Sequence, residues 1–207
     1  MKPSIAALTL TGVLGAGFAG IASAGPIPYP TPGVPNATTY TFTAAATGNI
    51  TAYFYGSTAA YTNDLSMLVN GVATGIEGLN NHSSPYGLAL NLGSVTAGDT
   101  LVFVLNNILP GGIGPWYSDQ SLNSDGVNHV YSTDFAGDSI IPAGVFVSFE
   151  DLPSGGDYNY NDEDFVFTNV SINTVPEPGV LALFGAGLIA FLLTTRRKLG
   201  KQAVALS

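Results

Sequence analysis

The chain contains no cysteine, and between residues 25 and 174 it contains no lysine or arginine. The first absence excludes disulfide staples, thiol nucleophiles and cysteine metal cages. The second reaches further. All five basic residues, Lys2, Arg196, Arg197, Lys198 and Lys201, stand at the two ends of a 207-residue chain with a formal net charge of −9. Of the 14 acids only Glu177 falls outside residues 25–174, so that stretch holds 14 minus 1, or 13, carboxylates and no permanent cation. No Lys or Arg salt bridge can form there. Nucleic acids and anionic lipid heads are excluded as partners, because their binding needs cations that displace counterions. Histidine is scarce too, with only His82 and His129. Helical periodicity is missing from the middle of the chain, where no amphipathic stretch exceeds two turns.

What is present begins with two end segments. Lys2 precedes a weakly hydrophobic run over residues 5–21 and then Ala22-Ser23-Ala24, small residues spaced as signal peptidase requires. Residues 1–24 therefore read as a signal peptide handled by the Sec translocon and cut after Ala24. A permanent N-terminal anchor is the competing reading, and the short, weakly hydrophobic run argues against it. Residues 25–37 carry prolines at 26, 28, 30, 32 and 35. That composition favours extended polyproline II and predicts a stiff spacer.

At the C-terminus Pro176-Glu177-Pro178 precedes a 15-residue apolar run over 179–193, and Arg196-Arg197-Lys198 follows. The run is at the short edge of a single membrane span, with the basic cluster on the cytoplasmic side. Residues 175–207 resemble the PEP-CTERM sorting signal of Gram-negative bacteria, which has a Pro-Glu-Pro motif, a transmembrane helix and a basic tail in this order. The resemblance implies a transient inner-membrane anchor and cleavage by an exosortase near Pro176, Glu177 and Pro178. Release to the cell surface or the exopolysaccharide matrix of a biofilm would follow. A plain tail anchor that is never cut is the alternative.

Residues 38–174 predict an all-β domain, an antiparallel β-sandwich of jelly-roll type. Alternating strand signals run over 39–43, 50–55, 64–70, 101–106, 127–132, 145–149 and 164–172, and turns such as Asn70-Gly71, Asp125-Gly126 and Gly155-Gly156-Asp157 separate them. In the sixth run Val145, Val147 and Phe149 should face the core, and Phe146, Ser148 and Glu150 the other side. Long loops are expected around 71–86 and 109–126. The second holds Trp116, the only tryptophan, which either closes the core or stacks on a sugar ring.

Six of the 13 carboxylates fall within residues 150–164. Without Lys or Arg, their repulsion must be relieved by solvent, backbone N–H groups, protonation or a metal ion. Carboxylate and amide oxygens suit calcium, and Glu150, Asp151, Asp157, Asn159, Asn161 and Asp162 are the candidate ligands. Asp157, Asn159 and Asn161 are spaced as at the start of an EF-hand loop, but Asp162 stands where that loop needs glycine and Thr168 where it needs glutamate. The second reading is a solvated turn in which Asp and Asn bond their own backbone. Phe-Glu-Asp-Leu over 149–152, followed by Asp-Tyr-Asn-Tyr-Asn-Asp over 157–162, resembles the signature of an uncharacterised β domain of exported PEP-CTERM proteins. No established activity comes with it.

No Gly-x-Ser-x-Gly elbow occurs. His129 could belong to a Ser-His-Asp set, or two carboxylates to a glycosidase pair, only if the fold supplied the geometry. The sequence thus points to a non-enzymatic, surface or matrix protein of structural or adhesive role that touches exopolysaccharide. A secreted polysaccharide hydrolase is the alternative.

Overall fold

The structure, a computed structural model, describes residues 25–108 and 113–176 and, near the C-terminus, 188, 189 and 191. The signal segment with Ala24, the residues Glu177 and Pro178 and the basic tail lie outside the described residues. Eleven strands are described, in two antiparallel sheets. The first sheet has the order β11-β1-β6-β3-β4. It is built from β1 (Thr38–Ala44), β3 (Asn63–Val69), β4 (Val72–Gly78), β6 (Thr100–Asn107) and β11 (Val170–Pro176), with the two-residue β7 (Trp116–Tyr117) against β6. The second has the order β5-β2-β10-β9-β8. Its strands are β2 (Gly48–Ser57), β5 (Ala89–Val95), β8 (Val130–Phe135), β9 (Gly144–Phe149) and β10 (Glu163–Thr168).

Period-two patterning sets the faces. Tyr40 and Phe42 of β1, Phe103 and Leu105 of β6, Ile50 and Phe54 of β2, Val145, Val147 and Phe149 of β9 and Phe165 and Phe167 of β10 form the core between the sheets. Phe103 stacks on Phe167 across the interface, with ring centroids 3.7 Å apart. Phe146 and Ser148 face outward, as the alternation predicts, yet both are fully buried.

Ser148 gives its hydroxyl to the Tyr160 carbonyl and Asp164 Oδ1, and Phe146 is covered because the proline-rich segment does not stand clear of the domain. Ile27 and Tyr29 pack on a second apolar cluster made by Phe135, Ile141, Phe146 and Val166 on the outer face of the second sheet. Tyr131 donates its hydroxyl to the Pro28 carbonyl at 2.8 Å, and the Gly33 N–H reaches the Asp157 carbonyl at 2.7 Å. The segment is a strap across the sheet as well as a connector.

Three expectations about strands need correction. The loop expected at 71–86 contains β4, joined to β3 by Asn70 and Gly71 at φ 50° and 81°, the pair of left-handed residues that a tight hairpin needs. Ala89–Val95 forms β5, although no strand is expected there. The single strand expected over 164–172 is two, because Asn169, at φ 63°, turns the chain from the second sheet into the first. Its side chain fixes that corner through the Ala46 N–H at 2.8 Å and the Ala46 carbonyl at 2.9 Å.

The expected transmembrane helix falls almost wholly outside the described residues. Leu188, Ile189 and Phe191 are helical, and among the described residues no helix is long and apolar enough to cross a membrane.

Candidate functional site

The acidic segment connects β9 to β10, whose register pairs Phe149 with Glu163. Within it, Ser154, Gly155, Gly156, Tyr158 and Tyr160 all have φ between 51° and 75°. Asp157 and Asn159 hold that path: Asp157 Oδ1 accepts from the Asn159 N–H and Asn159 Oδ1 from the Asn161 N–H, each at 3.1 Å. Asn161 Oδ1 accepts from the Thr58 hydroxyl at 2.8 Å. Asp157 and Asn159 thus spend side-chain oxygens on local turns, the behaviour that favours Asp and Asn at such places, and Asn161 spends its own at the end of β2.

The other three turn inward. Glu150 and Asp151 are 1% and 3% exposed, and Asp162 is half-buried beside them. The Asp151 N–H donates to Asp162 Oδ2 at 2.9 Å, and the Tyr160 N–H donates to Glu150 Oε1. Two residues outside the expected set complete the group. Asn63, at the start of β3 in the opposite sheet, donates its Nδ2 to Asp151 Oδ2 at 2.9 Å and also to Glu163 Oε1. Glu163 is 0% exposed, and among the described residues its Oε2 has no hydrogen-bond partner.

Burial dominates the electrostatics and disfavours the charged form of every member. It pushes Glu150 up to about 8, with Asp162 and Asp157 adding repulsion, and Glu163 up to about 9. Asp151 rises to about 6 through burial and the Asp162 charge. Asp162 is raised by burial, and the bonds it accepts from Asp151 only partly offset this. Asp164, on the outer face of β10, reaches about 6 through burial, although the hydroxyls of Ser148 and Tyr29 support its charged form.

Two aromatic rings fix the backbone of this segment. Trp116 Nε1 donates to the Asp151 carbonyl at 2.7 Å. His129 stacks on the indole with centroids 3.9 Å apart and planes 9° apart. Its Nδ1 lies 2.8 Å from the Glu150 carbonyl and its Nε2 3.0 Å from Asp125 Oδ2. Trp116 is 3% exposed and packs in the core between the sheets, which is the first of the two roles open to it in the sequence. With both nitrogens engaged and no exposed surface, His129 is positioned as a brace and not as a base open to substrate.

The donor set suits a hard cation in kind, since it is all carboxylate and amide oxygen. The orphaned Glu163 Oε2 fits the same chemistry: a buried acceptor left without a donor is costly, and a cation would satisfy it. Among the described residues, however, no three His, Asp or Glu groups already gather around one point as metal ligands. The carboxylates form a chain linked pairwise, from Glu150 through Asp162 and Asp151 to Asn63 and Glu163.

Beside the segment runs a groove of about 390 Å³ lined by Thr39, Tyr40, Thr41, Asp119, Gln120 and Ser121. A hollow of about 240 Å³ adjoins it at Gln120 and Gly126, walled by Asn36, Asn128, Tyr158 and Tyr160. None of the buried carboxylates lines either space.

Residues 88–169 match the family model described as Domain of unknown function (DUF4114). The match spans β5 to β10 and includes the whole acidic segment, while β1 to β4 lie outside it. Residues 174–198 match the PEP-CTERM protein-sorting motif. That motif indicates a chain processed by an exosortase, anchored transiently at its C-terminus and sorted to the cell surface. No curated protein and no solved structure matches the chain.

Proposed function

We propose that the chain is a surface or biofilm-matrix protein of a Gram-negative bacterium, with a structural or adhesive role. On this reading it is exported through Sec, released by an exosortase and stabilised by calcium at its acidic segment. The sorting motif carries the reading, because it follows directly on a β-sandwich that offers no catalytic constellation at its two histidines. His129 is buried under Trp116, and His82 lies on an exposed turn with its N–H on Asn80 Oδ1 at 3.1 Å. The groove beside the segment supports contact with exopolysaccharide. Its walls offer amides, hydroxyls and a half-buried Tyr158, which suit the hydroxyls and ring faces of a neutral sugar.

Retention of the full chain on soluble polysaccharides, measured beside the appearance of new reducing ends, tests this. Retention without new ends is the expected result. New reducing ends would replace the adhesive role with a hydrolase.

A further inference from the structure

We propose that one calcium ion binds between the two sheets, held by Asp151, Asp162 and Glu163 with Asn63 and with Glu150 adjoining, and staples the sandwich at that end. The inference rests on the calcium reading above and moves its seat to the sheet interface: it keeps Glu150, Asp151 and Asp162 of the six candidates and takes Asn63 and Glu163 in place of Asp157, Asn159 and Asn161. Three observations carry it. First, Asn63 belongs to β3 of one sheet, while Glu163 begins β10 of the other and Asp151 follows β9, so the group spans the interface. Second, Glu163 is fully buried, one of its oxygens shares the Asn63 amide with Asp151, and the other has no hydrogen-bond partner among the described residues. Third, the turn residues Asp157 and Asn159 already use oxygens on backbone N–H groups, whereas at the interface Asp151 and Glu163 draw on one and the same Asn63 amide.

Four carboxylates so placed cannot all be charged without a counter-ion, and residues 25–174 supply no Lys or Arg. A divalent ion with all-oxygen, flexible coordination meets that demand by drawing in the pairwise-linked groups. Magnesium, which keeps its waters and needs tight octahedral geometry, fits a packed interface poorly. The staple would take the place of the disulfides and the Lys or Arg salt bridges that residues 25–174 cannot supply.

Terbium, a luminescent stand-in for calcium, provides the test, because Trp116 touches the backbone of Asp151 and is the only indole. The metal-free full chain, purified in mild detergent, is titrated with terbium while indole-sensitised emission is read. Calcium is then used as competitor, and melting curves are taken in parallel. The expected result is sensitised emission displaced by calcium, together with a calcium-dependent rise in Tm. Glu163→Gln and, separately, Asp162→Asn should weaken calcium at least about tenfold. Asp157→Asn should leave it nearly unchanged. Loss of binding in Asp157→Asn, alone or with the other two, would overturn the interface site while leaving the calcium reading standing. Absence of any calcium shift in the unaltered chain, with Glu163→Gln melting higher than it, would overturn both and assign Glu163 a proton.

Discussion

Trp116 and His129 show how single residues set the conditions for the acidic segment. Each donates to, or lies against, a carbonyl of the Glu150–Asp151 pair, so the backbone of the two buried acids is fixed from outside the segment. Trp116→Phe keeps most of the buried surface but leaves the Asp151 carbonyl without its donor. The expected cost is about 1–3 kcal/mol, read as a fall in Tm of about 2–4 °C per kcal/mol. The carboxyls also dictate how the metal-free chain responds to pH. Glu150 and Glu163 titrate at about 8 and about 9 in the folded chain, against 4.5 for free glutamate. A group whose folded value is raised contributes stability that is complete below its unfolded value and is lost as pH rises through the folded one. In EGTA, Tm should therefore fall between about pH 5 and about pH 9. Melting curves across that window check this, and a Tm that rises with pH would mean that these carboxylates are ionised and satisfied without metal.

Among the elements, the strap is the part that composition misdescribes. Proline spacing over 26–35 suggests an extended spacer, but it shows neither the turn closed by the Val34 N–H on the Thr31 carbonyl nor the apolar face that Ile27 and Tyr29 cover. That face exists because Phe146 and Val166 point outward from central strands, which alternation shows only as a side and not as a buried side. Tyr29 donates to Asp164 Oδ2 at 2.6 Å. Tyr29→Phe should cost roughly 1.5–3 kcal/mol at neutral pH, the range for a hydrogen bond to a charged group, and raise the Asp164 pKa; carboxyl chemical shifts across a titration read both effects. Strands with strong alternation, such as β1, β2, β6 and β9, are legible in sequence within a few residues. β4 is not, since Val-Ala-Thr-Gly-Ile-Glu-Gly is small and half-exposed and owes its form to the hairpin at Asn70-Gly71. The site divides in the same way. The local density of Glu150, Asp151 and Asp162 is visible in the chain, whereas Asn63 lies 88 residues before Asp151 and only the stacking of two sheets brings it there. Glu163 is visible as an acid but not as a buried one, because its burial comes from the strand it opens.

For the whole molecule, the end segments and the sandwich form one continuous design. Two cuts are expected in the native host, after Ala24 and near Pro176-Glu177-Pro178, and intact mass of the secreted form reads both. A surface species that retains residues 181–193 would remove the exosortase step and leave the N-terminal cut unaffected. β11 makes the second cut unusual, because its pairing with β1 continues until Pro176 meets Thr38. The first proline of Pro-Glu-Pro is thus the last residue of the sheet, and only Glu177 and Pro178 separate it from the apolar run at 179. Two extended residues reach at most roughly 7 Å. An exosortase cutting near Pro176-Glu177-Pro178 would therefore have to reach a bond close beside the rim that carries Thr38 and Pro176.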